Sequence, residues 1–152
     1  MCELCGKNKR EPFRVVFEDK HIVIVINIEP LKPGHMMVMP VRHAEQLGDL
    51  DWEEASAFLK GIDRAMRAIN KYSDEEPMCV VNGPRHRTQS HLHAHVLPCK
   101  KNGLRDLYSV AEGLPERERA DQKTLTEMAD TLRPLFEEIA SCLPAGRSNL
   151  FE

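Results

Sequence analysis

Three histidines alternate with small or apolar residues late in the chain: His91, His93 and His95, separated by Leu92 and Ala94 and followed by Val96-Leu97. A period of two is the signature of a half-buried strand. It predicts three imidazoles on one face, each about 6–7 Å from the next. Just upstream lies a polar, basic stretch, Arg85-His86-Arg87-Thr88-Gln89-Ser90. Such a row beside such a loop is hard to account for as core packing, and two chemistries suit it. His-x-His on a strand can bring two imidazoles to one catalytic zinc, with a third ligand from elsewhere. Alternatively one neutral imidazole is a nucleophile toward phosphorus, while its neighbours hold its tautomer and assist the leaving oxygen. The nearby Arg, Gln, Thr and Ser suit charged oxygens. A central histidine with a helper on either side fits the phosphorus chemistry better.

A second set of chemically capable residues opens the chain. Cys2-Glu3-Leu4-Cys5-Gly6 is a C-x-x-C with a following glycine and basic residues, similar to a zinc knuckle. Alone it is half of a tetrahedral site, and it would equally suit a redox pair or incidental thiols. The chain has five cysteines, an odd number that does not suit a disulfide framework, and Met1–Cys5 has neither a basic nor an apolar leader character. The expectation is a reducing, cytoplasmic setting.

These residues need a scaffold, and 152 residues with 41% hydrophobic and 30% charged side chains suffice for one soluble domain. The formal charge of −3 offers no basic surface for nucleic acid, and no stretch is long enough to span a membrane. The pattern predicts strands over 13–18, 21–28 and 35–41, a short one over 78–82, and the histidine strand over 91–98. The 21–28 run is apolar at nearly every position, so it is expected to be central. Asn27 near its end is either a turn-former or a ligand contact. A helix is predicted over 51–71, with Asp51 and Glu54 as a capping box and Trp52, Ala55, Phe58, Leu59, Ile62, Ala65, Met66 and Ile69 facing the sheet. A second helix is predicted over 124–143, opened by Thr124-Leu125-Thr126-Glu127 and disturbed at Pro134. Between them a polar segment carries a short helical turn near 106–112. The fold class is α+β: an antiparallel sheet of about five strands, a central helix and a C-terminal helix.

His91-Leu92-His93-Ala94-His95-Val96-Leu97 resembles the signature of the histidine triad (HIT) superfamily, three histidines alternating with apolar residues. The likeness continues through Asn27, Pro33-Gly34-His35, Met39-Pro40, His43 and Asn82-Gly83, and covers roughly residues 2–101. The C-terminal helix, with Glu127-Met128 and Leu132-Arg133, is similar to the fragile-histidine-triad branch of dinucleoside polyphosphate hydrolases.

The resemblance implies a nucleotide hydrolase or transferase working at the α-phosphate through a covalent nucleotidyl-histidine. His93 is then the nucleophile, His95 contacts the phosphate and leaving oxygen, and His35 stands near the same phosphate. Asn27 falls where the family binds ribose, with Ile28 and Leu31 near the base. Asn82, Thr88, Gln89 and Ser90 are the remaining candidate substrate contacts. The loop is two residues shorter than the usual pattern, so Gln89 and Ser90 do not map directly and Thr88 is expected to substitute. By similarity to members with an N-terminal C-x-x-C, and to galactose-1-phosphate uridylyltransferase, a structural zinc is held by Cys2, Cys5, His43 and His91. A homodimer is implied as well. Arg87-Thr88-Gln89-x-x-Leu92-His93-x-His95 also resembles the CDP-diacylglycerol pyrophosphatase branch, which has Gln in place of His91 and acts on a lipid nucleotide. That reading ranks lower for a chain without an anchor. The same residues would also suit a nucleoside phosphoramidase, a metal-dependent hydrolase or a non-catalytic nucleotide-binding module.

Overall fold

A computed structural model describes residues 2, 4, 5, 11–100 and 118–142. Five strands form one antiparallel sheet: β1 (Val15–Glu18), β2 (Ile22–Ile26), β3 (Met36–Pro40), β4 (Glu76–Val81) and β5 (Ala94–Cys99), in the order β1-β2-β3-β5-β4. Helix α1 (Trp52–Tyr72) joins β3 to β4, and α2 (Gln122–Cys142) closes the described chain. The α+β class, the five strands and both helices are as the sequence pattern predicts.

Both helices cover the same face of the sheet. Ile22, Ile24 and Ile26 of β2, Val38 of β3 and Ala94 and Val96 of β5 meet Phe58, Ala65 and Ile69 of α1 and Leu125, Leu132 and Phe136 of α2. Alternation sends Val23, Val25, Met37 and Met39 to the opposite face, where Leu4 and Val15 pack on them. All five residues of β2 are buried, as a strand apolar on both faces requires. Gly61 lets α1 lie this close: a Cβ there would stand 2.4 Å from Ile22 Cδ1 and 3.1 Å from Val38 Cγ1. The β2–β3 turn depends on Gly34, whose φ of +88° favours glycine and whose missing Cβ would fall 2.8 Å from the Tyr72 ring. That turn delivers His35 to the sheet.

Several boundaries and faces differ from expectation. The 13–18 strand is preceded by a 3-10 turn, Pro12–Arg14, and begins at Val15. The histidine strand begins only at Ala94. His91 and His93 lie in an extended lead-in that bonds to the segment after β3, Leu92 N–H donating to the Ala44 carbonyl at 2.7 Å. Period two persists through the lead-in, because Leu92, Ala94 and Val96 still enter the helix-side core. Trp52 and Leu59, expected in the core, are 85% and 66% exposed. The apolar residues of α1 span a wider arc than the sheet covers, and the buried positions centre on Glu54, Phe58, Gly61, Ala65 and Ile69. Helix α2 starts two residues earlier than predicted, capped by Asp121, whose Oδ1 accepts from Thr124 N–H at 2.8 Å. It continues through Pro134 as one element. The turn expected near 106–112 and the helix end at Leu143 lie outside the described residues.

Candidate functional site

The lead-in to β5 separates the three histidines by environment. His91 has no exposed surface. Its Nε2–H donates to the Pro40 carbonyl at 2.8 Å, and because a carbonyl only accepts, the hydrogen must be on Nε2. Nδ1 therefore carries a lone pair, and it lies 3.6 Å from Cys2 Sγ and 3.3 Å from Cys5 Sγ. His43 Nδ1 is 3.1 Å from Cys5 Sγ. The four ligand atoms of Cys2, Cys5, His43 and His91 all lie within 4.8 Å of one another. In a tetrahedral Cys₂His₂ zinc centre, bond lengths near 2.3 Å to sulfur and 2.0 Å to nitrogen put S and N about 3.5 Å apart. The cluster fits such an ion in donor type and in spacing.

His43 reaches this cluster from the turn after β3, and Arg42 beside it fixes that turn. Arg42 forks onto Glu54 at 2.7 and 2.5 Å and also donates to the Asp49 carbonyl. Glu54 in turn closes the capping box of α1 with Asp51. The Arg42 hydrogen bonds pull the Glu54 carboxyl down from 4.5 to about 2. A folded-state value below the unfolded one adds stability that is complete above pH 4.5 and disappears as the pH falls toward 2. Urea unfolding between pH 5 and 3 is therefore expected to lose stability more steeply in the wild type than in Glu54→Gln. Parallel slopes would remove this contribution.

His93 is 5% exposed, and its Nδ1–H donates to the His91 carbonyl at 2.8 Å. That fixes the tautomer and leaves the lone pair on Nε2. Burial pushes the imidazole below its ordinary value, the bond to the His91 carbonyl restores part of the difference, and the Arg87 charge lowers it further. The ring is accordingly held neutral, the form that attacks phosphorus.

His95 sits in β5 between Met37 of β3 and Val80 of β4, on the helix-free face. Its tautomer follows from a chain of contacts. Leu31 N–H donates to His35 Nδ1 at 3.1 Å, so His35 carries its hydrogen on Nε2. Nε2–H then meets His95 Nδ1 at 2.9 Å, which places the His95 hydrogen on Nε2. Asn27 Oδ1 accepts from Glu29 N–H at 2.9 Å, turning its amide nitrogen toward His35 and His95 at 3.3 and 3.4 Å. The His93 and His95 rings stand edge to face with centroids 4.8 Å apart.

His93 and His95 open into a cleft of about 830 Å³. Its floor is apolar, from Leu4, Val25, Ile28, Met37 and Met39; its walls carry Asn27, Asn82, Thr88, Gln89 and His86; and Glu11, Arg14, Arg87 and Arg119 add charge. An apolar floor with a few convergent polar groups is the general form of a small-molecule site. Of the substrate contacts expected from sequence, Asn27, Asn82, Thr88 and Gln89 lie on the wall, as does Ile28. Ser90 is exposed and off the wall; Leu31 is half-buried and also off it, and its backbone N–H instead orients His35. His35 is 1% exposed, lies outside the cleft lining and contacts His95. Glu11, Arg14 and Arg119 had no mark in the sequence. Arg14 is buried, donating to the Ile26 carbonyl and to Glu11, and Arg119 pairs with Glu11 from a distant part of the chain.

Comparison with known proteins matches this geometry. A likeness of 31% identity over 101 residues, 64% of this chain and 78% of the other, relates it to an uncharacterised HIT-like protein of Methanocaldococcus jannaschii. It is 28% identical over 120 residues, 75% of this chain and 79% of the other, to a bis(5'-adenosyl)-triphosphatase of Dictyostelium discoideum. In fold it resembles a zinc-bound histidine triad family protein from Mycobacterium smegmatis, with a TM-score of 0.64 at 23% identity, covering 85% of this chain and 87% of that one. The HIT domain model spans residues 8–102, taking in Asn27, His35, His43 and all three alternating histidines. With the triad, its buried partners and the sheet that presents them all in place, the chain belongs to the HIT domain family.

Proposed function

We propose that this protein is a nucleotide hydrolase or transferase that acts at the α-phosphate of a nucleotide or dinucleoside polyphosphate through a nucleotidyl-His93 intermediate. One observation carries the reading: the His91 carbonyl holds His93 Nδ1–H, so the Nε2 lone pair is presented beside His95 in the cleft. The nucleoside lies on the apolar floor, with Asn27 beside the ribose and Asn82, Thr88 and Gln89 around the phosphates. His93 Nε2 forms a bond to the α-phosphorus. The bond from phosphorus to the bridging oxygen breaks, its electron pair remaining on that oxygen, and the leaving group departs as a phosphate anion. His95 Nε2–H donates to this oxygen as charge develops. Water then adds to phosphorus, the P–N electron pair returns to Nε2, and a proton is released with the nucleoside monophosphate. His35 and Asn27 are positioning residues that keep the hydrogen of His95 on the cleft side.

Cys2, Cys5, His43 and His91 would hold zinc in a closed set of four protein ligands, the pattern of a structural ion. Bound there, zinc supplies rigidity: it ties the N-terminus and the turn after β3 to the residue whose carbonyl orients His93.

Intact-mass spectrometry of protein quenched in denaturant at alkaline pH during turnover tests the mechanism. A protein adduct of one nucleoside monophosphate, labile in acid and mapping to His93, is expected; tight nucleotide binding without adduct or turnover would make the protein a binding module.

The proposed assembly is a homodimer. Strand β4 ends the sheet with an unpaired edge, Val81 is 39% exposed, and Trp52 and Leu59 lie seven residues apart on one side of α1. That side is turned away from Lys71, which pairs with Glu138 of α2, and so away from the second helix. Pairing β4 with its copy would cover the edge and these side chains together. Leu59→Arg is expected to shift the sedimentation of the protein from dimer to monomer; an unchanged monomer in the wild type would end this assignment.

A further inference from the structure

We propose that Arg87 is the arm that takes the charge of the leaving group, so that the group displaced from the α-phosphorus is itself an anion. This rests on the nucleotidyl-transfer reading and adds to it the chemistry of the second half of the substrate.

A guanidinium offers five N–H donors and cannot be neutralised. In Arg87, Nη2 donates to the Glu45 carbonyl. Nε and Nη1 are buried and meet no hydrogen-bond partner among the described residues. Buried cationic donors without acceptors are costly, and a cost of this kind persists where a ligand removes it. Arg87 lies on the wall of the cleft that holds His93 and His95. The Nη2 anchor keeps the guanidinium in place, and its remaining donors are the kind that charged phosphate oxygens satisfy.

The order of the strands gives the substrate a direction. Val25 and Asn27 belong to β2 and the segment just after it, Met37 to β3, His95 to β5, and Arg87 to the β4–β5 connection. A nucleoside on the β2–β3 floor with its α-phosphorus at His93 therefore sends its leaving group past His95 toward Arg87. When the P–O bond breaks, the electron pair left on the departing phosphate oxygen arrives where the guanidinium waits. An amine leaving group would bring Arg87 no anionic oxygen to bind.

The test separates binding from turnover. In a His93→Ala background, which cannot form the adduct, calorimetry compares adenosine 5'-diphosphate with adenosine 5'-monophosphate. The diphosphate is expected to bind at least about 10-fold more tightly, and adding Arg87→Met should weaken it about 10- to 100-fold while changing the monophosphate by less than about 3-fold. Unchanged monophosphate affinity also reports that the loop is intact. With His93 restored, Arg87→Met should lower kcat/KM for diadenosine triphosphate at least about 10-fold more than for an adenosine phosphoramidate. Equal affinities for the two nucleotides, or equal losses on both ligands or both substrates, would overturn the assignment of Arg87. Absence of turnover and adduct in the wild type, with the diphosphate preference still dependent on Arg87, would remove the transfer chemistry but keep the anion site. Failure to bind either nucleotide would remove both.

Discussion

His93→Ala is expected to lower turnover at least about 10⁴-fold, the scale at which removal of a covalent nucleophile is felt. The protein should still fold, because only one hydrogen bond to the His91 carbonyl is lost, worth about 1 kcal/mol. Binding of adenosine monophosphate should stay within about 10-fold, since the apolar floor and the phosphate wall are untouched. Circular dichroism, calorimetry and a chromatographic assay of nucleoside monophosphate release read these three quantities. Two comparisons make the assignment specific. His93→Gly leaves a space into which free imidazole can diffuse, and added imidazole should restore part of the activity. His95→Ala keeps the nucleophile and removes a donor to the leaving oxygen, so it should cost only about 10²-fold and still show the adduct. Near-full activity in His93→Ala, or an adduct that maps to His95, would exclude the proposed mechanism.

The candidate site residues stood out in the sequence because their side chains are unusual for where they sit. Period two in His91–Val96 separates an imidazole row from a core row, and the structure keeps that separation although the strand starts only at Ala94. The hydrogen bonds of the lead-in run to Pro40 and Ala44, in a turn whose position depends on tertiary packing. No local pattern reports that. The contact of His35 with His95 follows from the antiparallel register of β3 and β5, which no local pattern reports. The contact that sets the His35 tautomer comes from the Leu31 backbone, and every residue but proline offers the same group. Arg87 was visible as one of several basic loop residues. What distinguishes it is two buried donors left without acceptors, a property of packing rather than of type. Trp52 and Leu59 show the opposite case: helical spacing made them core residues, and only the position of the sheet under α1 shows that their side is uncovered.

Replacing Cys2 and Cys5 together by serine is expected to lower bound zinc from about one ion per chain to none, and to cost at least about 3 kcal/mol of stability. The direction follows from the donor set. Two thiols and two imidazoles converge with their ligand atoms within 4.8 Å, and a serine hydroxyl does not replace a cysteine sulfur as a zinc ligand. An ion held there would join three distant parts of the chain, Cys2 and Cys5 at the start, His43 after β3 and His91 before β5, so its loss would remove a long-range cross-link. Activity should fall with stability but not vanish. His91 remains tied to Pro40 through Nε2–H at 2.8 Å, and its carbonyl still faces His93 Nδ1, so the residual rate should follow the folded fraction. Metal analysis, thiol reactivity and urea unfolding decide between the readings of this cluster. Zinc at full occupancy in the double variant would refute these ligands. A wild type that carries no metal and forms a Cys2–Cys5 disulfide under mild oxidant would make the pair a redox couple. Complete loss of chemistry on zinc removal from protein that stays folded would place the ion in the reaction itself, and would return the three histidines to the metal-ligand reading that their spacing first allowed.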